Sequence, residues 1–132
     1  MLQISPDNKV DAKPFDAKTF DGSEDALVCA QCHTFVTRKA WSVNIGGRAQ
    51  HFCVNPHGIE FQVLSFSDAP GALANGRATT EATWFAGYAW RLAVCGACDV
   101  HLGWRFEGAN SPSRFFGLIH EALVDQPDVG EG

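Results

Sequence analysis

Two cysteine pairs constrain this chain more than any other feature. Cys29-Ala-Gln-Cys32 and Cys95-Gly-Ala-Cys98 share one spacing and are separated by the 62 residues from His33 to Val94. A C-x-x-C pair around a tight turn sets two thiolates about one zinc-ligand separation apart, and two pairs make the closed four-cysteine set of a structural zinc site. The small residues Gly96 and Ala97 suit such a turn. The gap exceeds that of a compact zinc ribbon. One zinc ion is therefore expected to join two hairpins distant in sequence, where closing a long loop helps most. A full sulfur set leaves no open coordination position, so this zinc is expected to be structural rather than catalytic.

The cysteines have rival readings. Cys29 to His33 also spells C-x-x-C-H, a haem-attachment pattern, but the opening residues lack an export signal and the second pair would go unexplained. A thioredoxin-like pair needs a βαβ pattern, which this sequence does not show. With no secretory signal, a cytoplasmic location is expected. There, cysteines serve as metal ligands rather than disulfides. Cys53, between Phe52 and Val54, reads as a small buried residue on a strand; the alternative is a nucleophile.

A chain of 132 residues suits one domain. Residues 1–25 read as a loosely docked polar arm, 26–125 as the folded domain, and 126–132 as a fraying tail. The net charge of −5, with Lys and Arg scattered, argues against a nucleic-acid footprint. No apolar run approaches the ~18 residues of a membrane span. Within the domain the pattern favours strands. Residues 35–37, 42–45, 51–54, 59–64, 91–94 and 101–107 are short and β-prone, several of them alternating. Residues 68–78, with Pro70, Gly71 and Gly76, read as loop. Residues 115–124 fit either a strand or a short helix.

Four tryptophans is a high count for this length. Trp84 and Trp90 flank Gly87, where a bend can turn both indoles to one space. Trp104 and Phe106 share a face of one strand. These rings can simply fill a core. They can also line a pocket that holds a quaternary ammonium by cation–π attraction or sandwiches a neutral ring whose polar edge is fixed by backbone groups. Trp41 fits the core reading.

Four blocks carry a family resemblance. They are Asn55-Pro56-His57-Gly58, the string from Thr80 through Trp84-Phe85-Ala86-Gly87-Tyr88-Ala89 to Trp90, the string from Cys95 through His101-Leu102-Gly103-Trp104 to Phe106, and Phe115-Phe116-Gly117-Leu118. In register over about residues 26–125, they resemble the thalidomide-binding CULT domain of cereblon, and the short chain is similar to the stand-alone bacterial members. The resemblance implies a mainly β fold, a β-tent of two antiparallel sheets pinned by a structural zinc on four cysteines. It implies a cage of Trp84, Trp90 and Trp104 with Phe106 at its base, taking a glutarimide or related cyclic imide. The imide edge would be read by backbone groups around Ala82, Thr83 and Trp84, with Asn55, Pro56 and His57 at the mouth. Animal cereblon has His where this chain has Ala82, and some bacterial members have Tyr in place of Phe106.

The expected function is therefore non-catalytic binding of cyclic imides, uracil-like rings or C-terminal cyclic imides. The sequence points to no nucleic acid or membrane and names no protein partner. One alternative is an enzyme like methionine sulfoxide reductase B, which shares the style of zinc site. That family needs a late nucleophilic Cys, and no cysteine follows Cys98 here. Another is a cage for methylated ammonium groups, with Glu81 as the nearest acidic candidate.

Overall fold

The computed structural model describes residues 25–126. The arm assigned to 1–25 and the tail assigned to 126–132 lie outside the described residues, apart from Asp25 and Gln126. Among the described residues the chain is mainly β. The strands are β1 (Ala26–Cys29), β2 (Phe35–Arg38), β3 (Gln50–Val54), β4 (Glu60–Phe66), β5 (Ala72–Thr79), β6 (Tyr88–Cys95), β7 (His101–Gly108), β8 (Arg114–Ile119) and β9 (Leu123–Asp125). They form two antiparallel sheets, a small one in the order β2-β1-β9 and a large one in the order β3-β4-β8-β7-β6-β5. No described helix is long and apolar enough to cross a membrane.

The large sheet is covered on both faces. Leu27, Val36 and Leu123 of the small sheet pack with Phe66, Ala93, Phe116 and Leu118 in one cluster. Val63, Tyr88, Trp104, Phe106 and Phe115 form a second, joined by Trp84 and Phe85 from the connection before β6. β8 lies between them, and its Phe115, Phe116, Gly117 and Leu118 are all buried. A strand buried on both faces reads as a continuous apolar run without alternation. This is why the sequence left 115–124 open: it resolves into β8, a short 3-10 turn (His120–Ala122) and β9.

Two expectations are corrected. Residues 42–45 do not form a strand; a 3-10 turn (Lys39–Trp41) leads into them, and Ser42 and Ile45 make only isolated bridges to Phe66 and Arg48. The turn at Gly46-Gly47, both with positive φ, folds the segment back before a ladder can form. Residues 68–78 are not all loop, because β5 begins at Ala72. Its register against β6 shifts between Asn75 and Thr79. Gly76, at φ 83°, sits in that irregularity, where a strand glycine serves a bulge rather than ending the strand.

Three details matter later. The Gly71 N–H donates to Val36 O at 3.1 Å, and Gly71 O accepts from the Gly96 N–H at 3.0 Å, so this residue ties β2 to the turn after β6. β3 is an edge strand. The amides of Asn55 and Ser65 donate to Ile59 O and Ala49 O across the β3–β4 hairpin. By alternation, Gln50, Phe52 and Val54 turn their backbone groups away from β4. The buried Tyr88 hydroxyl donates to Pro112 O at 2.6 Å. Tyr88→Phe keeps the edge-on contact with Phe115 and removes only that bond. Expected is a loss of about 1 kcal/mol, read as a melting point lower by roughly 4–8 °C.

Candidate functional site

The cysteine pairs close β1 and β6, one strand from each sheet, and the two turns are alike. Cys29 and Cys95 accept through their carbonyls from the amides of His33 and Asp99, at 2.8 and 2.9 Å, and donate through their own amides to Thr34 O and Val100 O, both at 2.9 Å. His33 and Asp99 take the left-handed conformation, at φ 63° and 67°. The four sulfur atoms all lie within 4.8 Å of one another, with Cys29 and Cys98 at 3.7 Å and Cys32 and Cys95 at 3.6 Å. Tetrahedral zinc–thiolate geometry, with bonds of ~2.3 Å, separates its sulfurs by about 3.8 Å. The set is therefore compatible with a metal ion.

Protonation in the cluster is uneven. The Thr34 hydroxyl and amide pull Cys32 down to about 6. Cys98 goes the other way: the Val100 amide lowers it, but burial and the three neighbouring sulfurs together push it up to about 12. A bound doubly charged cation would bring all four to thiolates and relieve that competition.

A cavity of about 500 Å³ opens on the large sheet, on the face away from the small one. β6 supplies Trp90 and Leu92; β7 supplies Trp104 and Phe106, paired across the ladder as Trp90 with Phe106 and Leu92 with Trp104. The β3–β4 hairpin brings Asn55, Pro56 and Phe61, and β5 brings Thr79. The connection 80–87 brings Glu81, Ala82 and Trp84 and turns back at Gly87, φ 90°. Trp84 and Trp104 meet edge to face at 4.8 Å. The Trp84 indole N–H donates to Val54 O at 3.0 Å, and the Trp90 indole N–H to Glu81 O at 2.8 Å. Two indole donors are thus already engaged by protein.

Of the residues expected at a ligand site, Asn55, Pro56, Ala82, Trp84, Trp90, Trp104 and Phe106 come together on this cavity; His57 and Thr83 do not line it. The Asn55 side-chain oxygen accepts from the amides of His57 and Ile59, both at 2.9 Å, and this turn carries His57 into solvent. The Thr83 hydroxyl donates within its own loop to Phe85 O. The sequence reading missed Phe61, Thr79, Leu92 and His101. His101 stands edge-on to Trp104 at 4.9 Å, and its Nε2–H donates to Gly103 O at 2.9 Å. Loss of solvent against the ring lowers its pKa, partly offset by that bond. Cys53 is buried on β3, and burial pushes its thiol up.

No family model matches the chain. It is similar to cereblon of Danio rerio, 38% identical over 112 residues that span 80% of this chain and 26% of that protein. Cereblon of Xenopus tropicalis is 36% identical over 115 residues, again 80% of this chain and 26% of the relative. Cereblon of Gallus gallus is 38% identical over 105 residues, 75% and 23%. The chain thus spans about a quarter of the length of the curated relatives it matches.

Proposed function

This chain carries a cereblon-like domain, and on that premise we propose that it binds a small neutral cyclic imide, such as a glutarimide, in the tryptophan-lined cavity, without catalysis. The observation that carries the reading is the convergence of Trp84, Trp90, Trp104 and Phe106 on one cavity of ligand size. Apolar ring faces desolvate the flank of such a ring. Its edge of acceptor, donor and acceptor needs backbone partners. The Ala82 carbonyl and the Trp84 amide, beside the cavity, make no backbone hydrogen bond of their own in the loop. Ala82 holds φ 53°, a strained conformation for alanine of the kind that clusters at ligand sites. Asn55, Pro56 and the nearby His57 would meet whatever the ring is attached to. Uracil-like rings and cyclic imides at a polypeptide C-terminus present the same kind of edge.

The metal we propose is a single structural Zn2+ on Cys29, Cys32, Cys95 and Cys98, from the all-sulfur donor set. A reducing cytoplasm would keep these thiols available. A sulfoxide reductase is disfavoured because Cys53 is buried with its thiol pushed up. Glu81 on the cavity lining gives a cage for methylated ammonium groups some support.

The test is displacement of a fluorescent imide probe by glutarimide on metal-loaded protein. Expected is saturable binding at micromolar levels, weakened at least ~30-fold by Trp104→Ala or Trp84→Ala, since truncating a buried aromatic anchor costs about 2 kcal/mol or more. No binding by folded wild-type protein would overturn the reading. Tighter binding of tetramethylammonium than of glutarimide would move it to the cation cage.

A further inference from the structure

We propose that His51 is an acid-sensitive anchor for the loop 80–87, holding the Trp84 wall of the cavity closed while its imidazole is neutral and releasing it when the imidazole gains a second proton. His51 lies on the inward face of β3 and is buried. Its Nε2 is 3.3 Å from Ser65 Oγ. The single Ser65 hydroxyl proton is directed at Val43 O, 2.6 Å away, so Ser65 accepts here and His51 donates through Nε2–H. Nδ1 has no hydrogen-bond partner among the described residues. Against the imidazole, edge to face at 5.0 Å, stands Phe85. That ring is also wedged against Phe106 at 4.9 Å and Phe115 at 5.2 Å. Phe85 is thus the peg that seats the loop, and the residue before it is Trp84. One buried histidine sets the floor of the peg's socket.

A second proton on His51 gains no anionic partner among the described residues. Ser65 from β4 and Phe85 from the loop offer no negative charge. Cys53, two residues along the same strand face, keeps its proton because burial raises its thiol. The charged group that acts on the ring is the Arg48 guanidinium, which repels a cation. Burial first, and Arg48 second, hold the imidazole below its ordinary value. The sign follows. The closed arrangement binds this proton less well than the open one, so its stability is full above the ordinary histidine pKa, about 6.5. It is lost as the pH falls below that value. The loop gives way before the fold. Its backbone bonds are few, Thr83 N–H to Thr80 O and Tyr88 N–H to Phe85 O, whereas β6, β7 and β8 are laddered along their length. Release of a bound ring on acidification rests on the proposed function; the latch itself does not.

The experiment therefore needs no ligand. In metal-loaded, nitrogen-15-labelled full chain, exchange of the Trp84 indole N–H with water is followed from about pH 7.5 to about pH 5, alongside the His51 ring titration and the β7–β8 amides. Expected is a rise in Trp84 exchange of at least ~10-fold beyond the intrinsic pH effect, with its midpoint on the His51 titration, while the β7–β8 amides stay protected. His51→Phe, or His51→Gln should that variant misfold, is expected to remove the rise. Exchange that stays flat through the His51 titration, a rise that survives in the variant, or loss of β7–β8 protection in step with Trp84 would each overturn the latch. Imide-probe binding measured on the same samples separates the two readings: a latch that opens in protein that never binds the probe refutes the ligand assignment and leaves the anchor standing.

Discussion

Stripping the metal with a chelator, or replacing Cys95 with Ser, is expected to abolish the folded state rather than lower its melting point. The cysteine turns are the ends of β1 and β6, and these strands belong to different sheets. Structural zinc in small peptides contributes about 10–16 kcal/mol at neutral pH. A domain of this size has a net stability of roughly 5–15 kcal/mol, so the apo form has little left. The readout is collapse of near-ultraviolet circular dichroism and a red shift of tryptophan emission on chelation, both restored by one equivalent of Zn2+. Cys53→Ser, outside the sulfur set, should leave metal stoichiometry unchanged. A chelated protein that still melted cooperatively within a few degrees of the holo form would contradict this account.

Gly71→Ala is the second change of this size. A β-carbon at Gly71 would lie 2.0 Å from Phe35 O and 2.7 Å from Val36 Cα. Both are main-chain atoms, so no rotamer change relieves the clash. The strand β2 must move, and with it the Gly71 N–H to Val36 O bond and the Gly96 N–H to Gly71 O bond. Expected is destabilisation on the order of 4 kcal/mol or more, among the largest values single substitutions give, measured by urea unfolding of the metal-loaded protein. Gly76→Ala makes a useful contrast. That glycine has open space around its β-carbon but a φ of 83°, so its penalty is conformational and close to about 1 kcal/mol.

What the sequence revealed and what it hid have a common physical origin. The cysteine turns were legible because C-x-x-C geometry is local: spacing alone sets the sulfur separation, and the fold had only to bring two turns together. Trp90, Trp104 and Phe106 were legible as a group because β6 and β7 are consecutive strands of alternating side chains, and Trp84 joined them through the bend at Gly87. Phe61 and Thr79 were not, because they reach the cavity only through the placement of the β3–β4 hairpin and through β5, most of which was read as loop; Leu92 shares its side of β6 with Trp90 but carries no aromatic signal. The direction of His57 was hidden for a subtler reason. The residue string predicts a turn but not that the Asn55 side chain closes it, and that closure decides which way His57 leaves. The burial of β8 on both faces erased the alternation that would have marked it as a strand.

The Trp84 indole has one more consequence. It sits on the carbonyl of Val54, at the open margin of β3, where Phe52 stands 78% exposed. Unpaired strand margins recruit further chains, and among the described residues one cavity ring covers the Val54 end of this margin. Colloidal behaviour and recognition are therefore coupled through a single side chain. A variant that empties the cavity wall also uncovers a template for sticking, so its turbidity at high concentration belongs beside its binding curve.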